Sequence, residues 1–144
     1  MLNISEIMTT DLFTLQEQDT LTDAARLMKE HRVRHIPIVD DSRELLGLIT
    51  QRDLLATKNS DTTLADIMRR DMYTVSEADD MRSAALVMQK YKIGSLPVTS
   101  DGKLVGIITD SDYVGLAINL LEQMEEAEPD EFDDYDTADA LGGV

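Results

Sequence analysis

The chain has 144 residues, no Cys, 4% aromatic residues and a formal charge of −16. That length allows one compact domain or two very small ones, built on Leu, Ile, Val, Ala and Met. The missing thiols exclude disulfides, thiol catalysis and thiolate metal sites and fit a reducing cytoplasm, the acidic balance argues against DNA or RNA as a partner, and no apolar run reaches the roughly 20 residues of a membrane span.

In chain order, Phe13-Thr14-Leu15 reads as a short strand. Thr20 with Asp23 resembles a capping box, and Leu21, Ala24, Ala25 and Met28 then fall at i, i+3, i+4 and i+7, the face of a packed helix. Ile36–Val39 and Leu45–Ile49 are strands around a polar turn, and a helical segment covers Asp53–Thr57. Lys58–Thr62 reads as a linker. The order then repeats: strand Tyr73-Thr74-Val75, helix face Met81, Ala84, Ala85 and Met88, strands Leu96–Thr99 and Leu104–Ile108 around Asp101-Gly102, and a helix over Asp112–Met124. The two copies are offset by about 60 residues. Ile7-Met8 returns as Ile67-Met68, Pro37 as Pro97, and Gly47-Leu48-Ile49-Thr50 as Gly106-Ile107-Ile108-Thr109, with one residue lost in the hairpin turn. Neither half has enough surface to bury its own apolar face, so the halves should pack together. The acidic C-terminal stretch (122–144) should be flexible, with Pro129 stopping any helix that runs into it.

Four elements recur in each copy: the Ile-Met opening, the Ala-Ala-x-x-Met helix, the apolar-Pro-apolar strand, and Gly-x-x-Thr-x-x-Asp ahead of a helix. On these the chain resembles a tandem pair of CBS motifs over roughly residues 2–121. The resemblance implies an α/β (α+β) fold of two β-α-β-β-α motifs, 1–58 and 59–121, packed with pseudo-twofold symmetry as small mixed sheets flanked by helices. It further implies a homodimer and a regulatory module whose clefts hold AMP, ADP, ATP or S-adenosylmethionine, acting on an unknown effector protein in trans.

Thr and Asp three residues apart at a strand-to-helix junction can converge on one ligand, the carboxylate accepting from two ribose hydroxyls and the hydroxyl meeting a phosphate. The family pattern assigns ribose contact to Asp53 and Asp112 and hydroxyl contact to Thr50 and Thr109. The same residues also read as plain N-caps, and both roles can coexist. An adenine should lie against Thr14-Leu15 with Ile36-Pro37 in one half, and Thr74-Val75 with Ser95-Leu96-Pro97 in the other, although these also read as ordinary strand residues. Arg34, His35 and Arg52 bring positive charge to the first cleft. Gly94, Ser95 and Ser111 replace them in the second, and Asp110 adds negative charge, so the first cleft should prefer a phosphorylated ligand.

Catalysis is not expected. His31 and His35 stand at i, i+4, but the intervening segment reads as a helix exit that points the rings apart, and no metal site, nucleophile elbow or phosphate loop is present. No cofactor is required. The alternative reading is a protein-interaction adaptor with a dimerising pair and an acidic docking tail, in which Phe132 and Tyr135 interleave with acids.

Overall fold

The computed structural model describes residues 2–127. A 3-10 turn, Ile4–Glu6, opens the chain, followed by α1 (Leu21–His31), β1 (His35–Val39), β2 (Leu45–Thr50), α2 (Gln51–Ala56), α3 (Leu64–Ile67), β3 (Val75–Ser76), α4 (Met81–Tyr91), β4 (Ser95–Ser100), β5 (Lys103–Thr109) and α5 (Asp110–Ala127). The chain divides into two compact units between Asp110 and Ser111.

The first unit carries both sheets. β1 and β2 form an antiparallel hairpin; β3 runs parallel to β4, which pairs antiparallel with β5. The expected strand at Phe13–Leu15 contracts to one parallel bridge, Leu15 to Ile38, the counterpart of Val75 to Val98 in the second copy. Both hairpins bulge at the same repeat position, Ile38/Val39 and Val98/Thr99.

α1 begins as the sequence predicts. Thr20 is its N-cap, Asp23 completes a capping box, and Arg32 ends it in the left-handed conformation. The buried stripe is Leu21, Ala24 and Met28. Ala25, expected on the same face, is exposed: each helical residue advances by about 100°, and with Ala24 fully buried its neighbour turns to the edge. In α4 the stripe is Met81, Ala84 and Met88, and Ala85 is half-buried. Around α1 the core gathers Ile36, Ile38, Ile49, Leu64 and Met68. Leu64 and Met68 come from beyond the expected linker, Leu64 on the short α3, which the sequence pattern did not signal, and Met68 directly after it.

The halves are joined by exchange of their opening segments. Thr9 bridges Ile107, its amide donating to the Ile107 carbonyl at 2.8 Å and its carbonyl accepting the return bond at 3.0 Å. Arg69, the matching residue of the second copy, bridges Leu48 of the first through two bonds of 2.9 Å. Asn3 with Asp80 and Thr63 with Thr20 make a second reciprocal pair of bridges. Each motif's leading segment therefore completes the other motif's sheet.

The exchange explains two of the sequence elements together. A Cβ on Gly47 would lie 2.7 Å from Met68 Sδ and 2.9 Å from the Arg69 carbonyl oxygen. On Gly106 it would lie 2.6 Å from Met8 Sδ and 3.1 Å from the Thr9 carbonyl oxygen. The glycine of each Gly-x-x-Thr element is a seat for the methionine of the other copy's Ile-Met element.

α5 runs through Ala127, past the expected end at Met124 and into the acidic stretch, in line with its helix-forming Glu, Gln and Met. None of its residues is buried. Pro129, Phe132 and Tyr135 lie outside the described residues. Among the described residues no helix is long and apolar enough to cross a membrane.

Candidate functional site

Strand register brings part of the predicted first-half set to one strand-to-helix junction. His35 pairs with Thr50 across β1 and β2, at the end of the hairpin where α2 begins. The Gln51 amide donates to the Arg34 carbonyl at 2.9 Å, which sets the Arg34 backbone beside the start of α2, whose first turn carries Arg52. Arg34 and Arg52 are both exposed. The second half repeats the frame: Ser95 pairs with Thr109, and the Asp110 amide donates to the Gly94 carbonyl at 3.0 Å. Ser111 and Asp112 follow in the first turn of α5.

Thr50 and Asp53 form a reciprocal cap. Asp53 Oδ2 accepts from the Thr50 amide and hydroxyl, both at 2.9 Å, and Thr50 Oγ1 accepts from the Asp53 amide at 3.3 Å. A hydroxyl has one hydrogen, and Thr50 gives it to Asp53. With this bond intact, the Thr50 hydroxyl has no hydrogen left for the phosphate contact expected from its place at a helix start.

The same box stands at Thr20 and Asp23. Asp23 Oδ2 accepts from the Thr20 amide at 2.9 Å and hydroxyl at 3.1 Å. The amide bond, then the hydroxyl, hold the Asp23 carboxyl below its ordinary range, against a smaller opposing effect of burial and with help from Arg26. Asp80 is lowered in the same way by the Ser83 amide and hydroxyl. Thr-x-x-Asp is thus a general capping device in this chain, and the cap geometry alone marks no ligand site.

Asp53 differs in what its other oxygen meets. Arg69 Nε and Nη2 both lie 3.4 Å from Asp53 Oδ1. The Asp53 side chain is 15% exposed and that of Arg69 is 57% exposed, so a sheltered carboxylate is matched by a guanidinium open to solvent. At Asp23 the partner is Arg26 of the same helix, at 4.0 Å. Sequence reasoning missed Arg69. The signal was in the repeat, where Ile7-Met8-Thr9 answers Ile67-Met68-Arg69; that Arg69 reaches the other motif's carboxylate follows only from the exchanged segments.

The predicted adenine wall divides between core and surface. Ile36, Pro37, Leu96 and Pro97 are fully buried, Ile36 within the first motif's core. Pro37 and Pro97 sit opposite Leu48 and Ile107 in the hairpins, and the Pro37 carbonyl accepts from the Leu15 amide at 3.2 Å. These side chains are core here, because the strands that carry them pack inward on both neighbours. Thr14, Leu15 and Val75 are half-buried and Thr74 is exposed. Ser95 is buried.

His31 and His35 go to separate partners. His31 stacks on Phe13 with ring centroids 3.9 Å apart; Tyr91 and Tyr73 stack at the same repeat positions, 4.2 Å apart. The His35 ring crosses to the second motif. A Cβ on Gly94 would lie 3.7 Å from His35 Cε1 and 3.4 Å from Asp110 Oδ2. Burial pushes the His35 imidazole below its ordinary pKa; Asp110 opposes that shift and Arg34 adds to it. Among the described residues no group of three or more His, Cys, Asp or Glu side chains could hold a metal ion.

A family model described as CBS domain matches the chain twice, at residues 4–59 and 64–118. A crystal structure from Vibrio cholerae, of a protein provisionally described as the acetoin utilization protein AcuB, is 46% identical, with a TM-score of 0.82 over 90% of this chain and 99% of that one. The CBS domain pair of protein MJ0100, solved with 5′-methylthioadenosine and S-adenosyl-L-methionine, is 30% identical, with a TM-score of 0.74 over 81% of this chain and 96% of that one. CBSX2 solved with AMP is 27% identical, with a TM-score of 0.78 over 83% and 98%. Among curated proteins, the inosine-5′-monophosphate dehydrogenase of Korarchaeum cryptofilum is 36% identical over 103 residues, 71% of this chain but 21% of that enzyme. The chain thus spans about a fifth of the curated relative's length.

Proposed function

The chain belongs to the CBS-domain family, and from that premise we propose that it is a non-catalytic regulatory sensor for an adenosine-containing ligand. The Thr50–Asp53 junction is the primary site, and occupancy is relayed to an effector protein in trans. The observation that carries this reading is the contrast between two identical caps, of which only Asp53 is sheltered and faced by a guanidinium from the other motif. Ribose hydroxyls would share Asp53 Oδ1 with Arg69, and a phosphate would meet Arg34, Arg52 and Arg69. AMP in CBSX2, and S-adenosyl-L-methionine with 5′-methylthioadenosine in MJ0100, support the ligand class.

The halves are unequal. At the repeat positions of Arg34 and Arg52 the second copy has Gly94 and Ser111, Asp110 replaces Gln51, and the segment that crosses to the second copy's hairpin carries Thr9 where the one crossing to the first carries Arg69. A phosphorylated ligand belongs in the first half, and a less charged one in the second. We further propose a cytoplasmic homodimer. Val114, Ile118 and Leu121 repeat at i, i+4 and i+7 on α5 and are exposed, an apolar stripe a second copy could cover. Light scattering on the intact chain reads the assembly directly.

A thermal-shift series with adenosine, AMP, ADP, ATP and S-adenosylmethionine tests the ligand class. Binding to the folded state alone stabilises by about 2.7 kcal/mol at a hundredfold excess over Kd. The proposal expects a saturable rise with at least one of these ligands. No rise with any of them, at millimolar concentrations, contradicts it.

A further inference from the structure

Every sulfur in the chain is a thioether, since there are eight methionines and no Cys. Sulfur-based chemistry with an oxidant therefore falls on methionine alone. Exposure sorts these groups. Met28, Met68, Met81 and Met88 are buried, Met8 and Met72 are half-buried, and Met124 is exposed on α5. Of the three that solvent reaches, the glycine seats hold Met8.

The Met8 seat lies where the opening segment joins the second motif. A Cβ on Gly106 would lie 2.6 Å from Met8 Sδ, 3.1 Å from Met8 Cγ and 3.1 Å from the Thr9 carbonyl oxygen. That carbonyl accepts from the Ile107 amide at 3.0 Å, and the Thr9 amide donates to the Ile107 carbonyl at 2.8 Å. The same segment reaches the second motif again through the Ile4 amide, which donates to the Asp79 carbonyl at 2.9 Å, and through the Leu2 carbonyl, which accepts from the Met81 amide at 3.1 Å. The seat thus sits between two anchored stretches, beside β5 and two residues ahead of Thr109 at most. In the reciprocal crossing, Met68 is 8% exposed and belongs to the core of the first motif.

We propose that Met8 is an oxidant-sensitive latch, whose conversion to the sulfoxide by a peroxide unseats the opening segment from β5. The sulfur gives a lone pair to one oxygen of hydrogen peroxide, the O–O bond breaks, and the other oxygen leaves as water with both protons. Methionine loses two electrons and the peroxide gains them. The flexible apolar side chain becomes a polar one that carries a new acceptor oxygen. The Thr9 carbonyl, itself an acceptor, offers that oxygen no hydrogen bond, so it is better satisfied by water outside the seat. With Met8 withdrawn, the seat loses the contacts that pack the segment on Gly106, and the Thr9–Ile107 bridge opens more often. A methionine sulfoxide reductase resets the latch. The device goes beyond ligand sensing and holds whichever ligand the junctions take.

The test treats the intact chain with dilute hydrogen peroxide, maps oxidised methionines by mass spectrometry and follows amide hydrogen exchange by NMR. A Met124→Leu background removes the fully exposed sulfur from the readout. Met8 should oxidise faster than Met68. Once Met8 is oxidised, the Thr9 and Ile107 amides should exchange at least about tenfold faster. The Leu48 and Arg69 amides, which make the same bridge in the other crossing, should keep their rates. Met8→Leu, close in volume and inert to peroxide, should abolish the response, and reductase treatment should restore the original rates. Oxidation of Met8 no faster than that of Met68, or unchanged exchange at Thr9 and Ile107 after Met8 oxidation, overturns the proposal. So does the same response in Met8→Leu, or rates that stay raised after the sulfoxide has been reduced.

Discussion

Replacing Gly47 by Ala tests the exchanged architecture at its tightest point. The new Cβ would meet Met68 Sδ at 2.7 Å, Met68 Cγ at 2.9 Å and the Arg69 carbonyl oxygen at 2.9 Å. The methionine can swing away, since its side chain is flexible. The carbonyl cannot do so freely, because it accepts from the Leu48 amide at 2.9 Å while the Arg69 amide donates back at the same distance. Overpacking of this kind costs about 1–3 kcal/mol. The alanine recovers about 0.4–1 kcal/mol by restricting the unfolded chain. The net expectation is a loss of about 1–2 kcal/mol, or roughly 4 °C in Tm per kcal/mol for a chain this size. Gly106→Ala should cost less, because the backbone atom it meets, the Thr9 carbonyl oxygen, is 3.1 Å away. Urea unfolding followed by far-UV circular dichroism gives both values. In a Met68→Ala background the Gly47→Ala cost should shrink without vanishing, since the carbonyl remains. A Gly47→Ala protein as stable as the wild type, or no less stable than Gly106→Ala, would refute the inferred close packing.

Arg69→Ala should weaken AMP binding more than adenosine binding, with about 1.5–3 kcal/mol lost for a charge-assisted phosphate contact; calorimetry with the two ligands separates that loss from a general one. Thr50→Ala removes an N-cap and should cost about 0.5–2 kcal/mol of stability, read by the same urea assay. The lowered Asp23 carboxyl makes a contribution that is full above its ordinary value of 3.8 and is lost as pH falls through the lower folded value, so Asp23→Asn should flatten the acid limb of stability in that range. His35 works in the opposite part of the scale. Its folded pKa lies below 6.5, so its contribution is present above 6.5 and is lost as pH falls through the folded value, and His35→Gln should remove that slope from a plot of unfolding free energy against pH.

Much of the fold was written in local periodicity. Alternation placed the four hairpin strands within a residue or two, and Thr20 with Asp23 fixed the start of α1, because these signals depend on near neighbours. What the sequence did not disclose is how the halves interlock. Gly47 and Met68 are 21 positions apart, and nothing local says that one seats the other. α3 escaped because a helix of four residues has too little periodicity to register. Ala25 was misplaced because a face drawn at i, i+3 and i+4 is wider than the stripe that α1 buries. At the candidate site, the Thr-x-x-Asp spacing marked a strand-to-helix junction that the structure forms, but it suggested more than it could carry, since Thr20 and Asp23 make the same bonds. Arg69 and the crossing of His35 depend on tertiary exchange and became visible only in three dimensions.

The most direct test of the account is a calorimetric titration of AMP into the wild type and into Asp53→Asn. An amide has one carbonyl oxygen where the carboxylate has two, and it carries no charge to hold Arg69. The variant should still fold, because the Asn oxygen can keep the Thr50 cap. Saturable heat in the wild type that weakens at least tenfold in the variant, about 1.4 kcal/mol, is the result this account predicts. Equal affinity in both proteins, or no heat in either, would place nucleotide recognition away from the Thr50–Asp53 junction and contradict it.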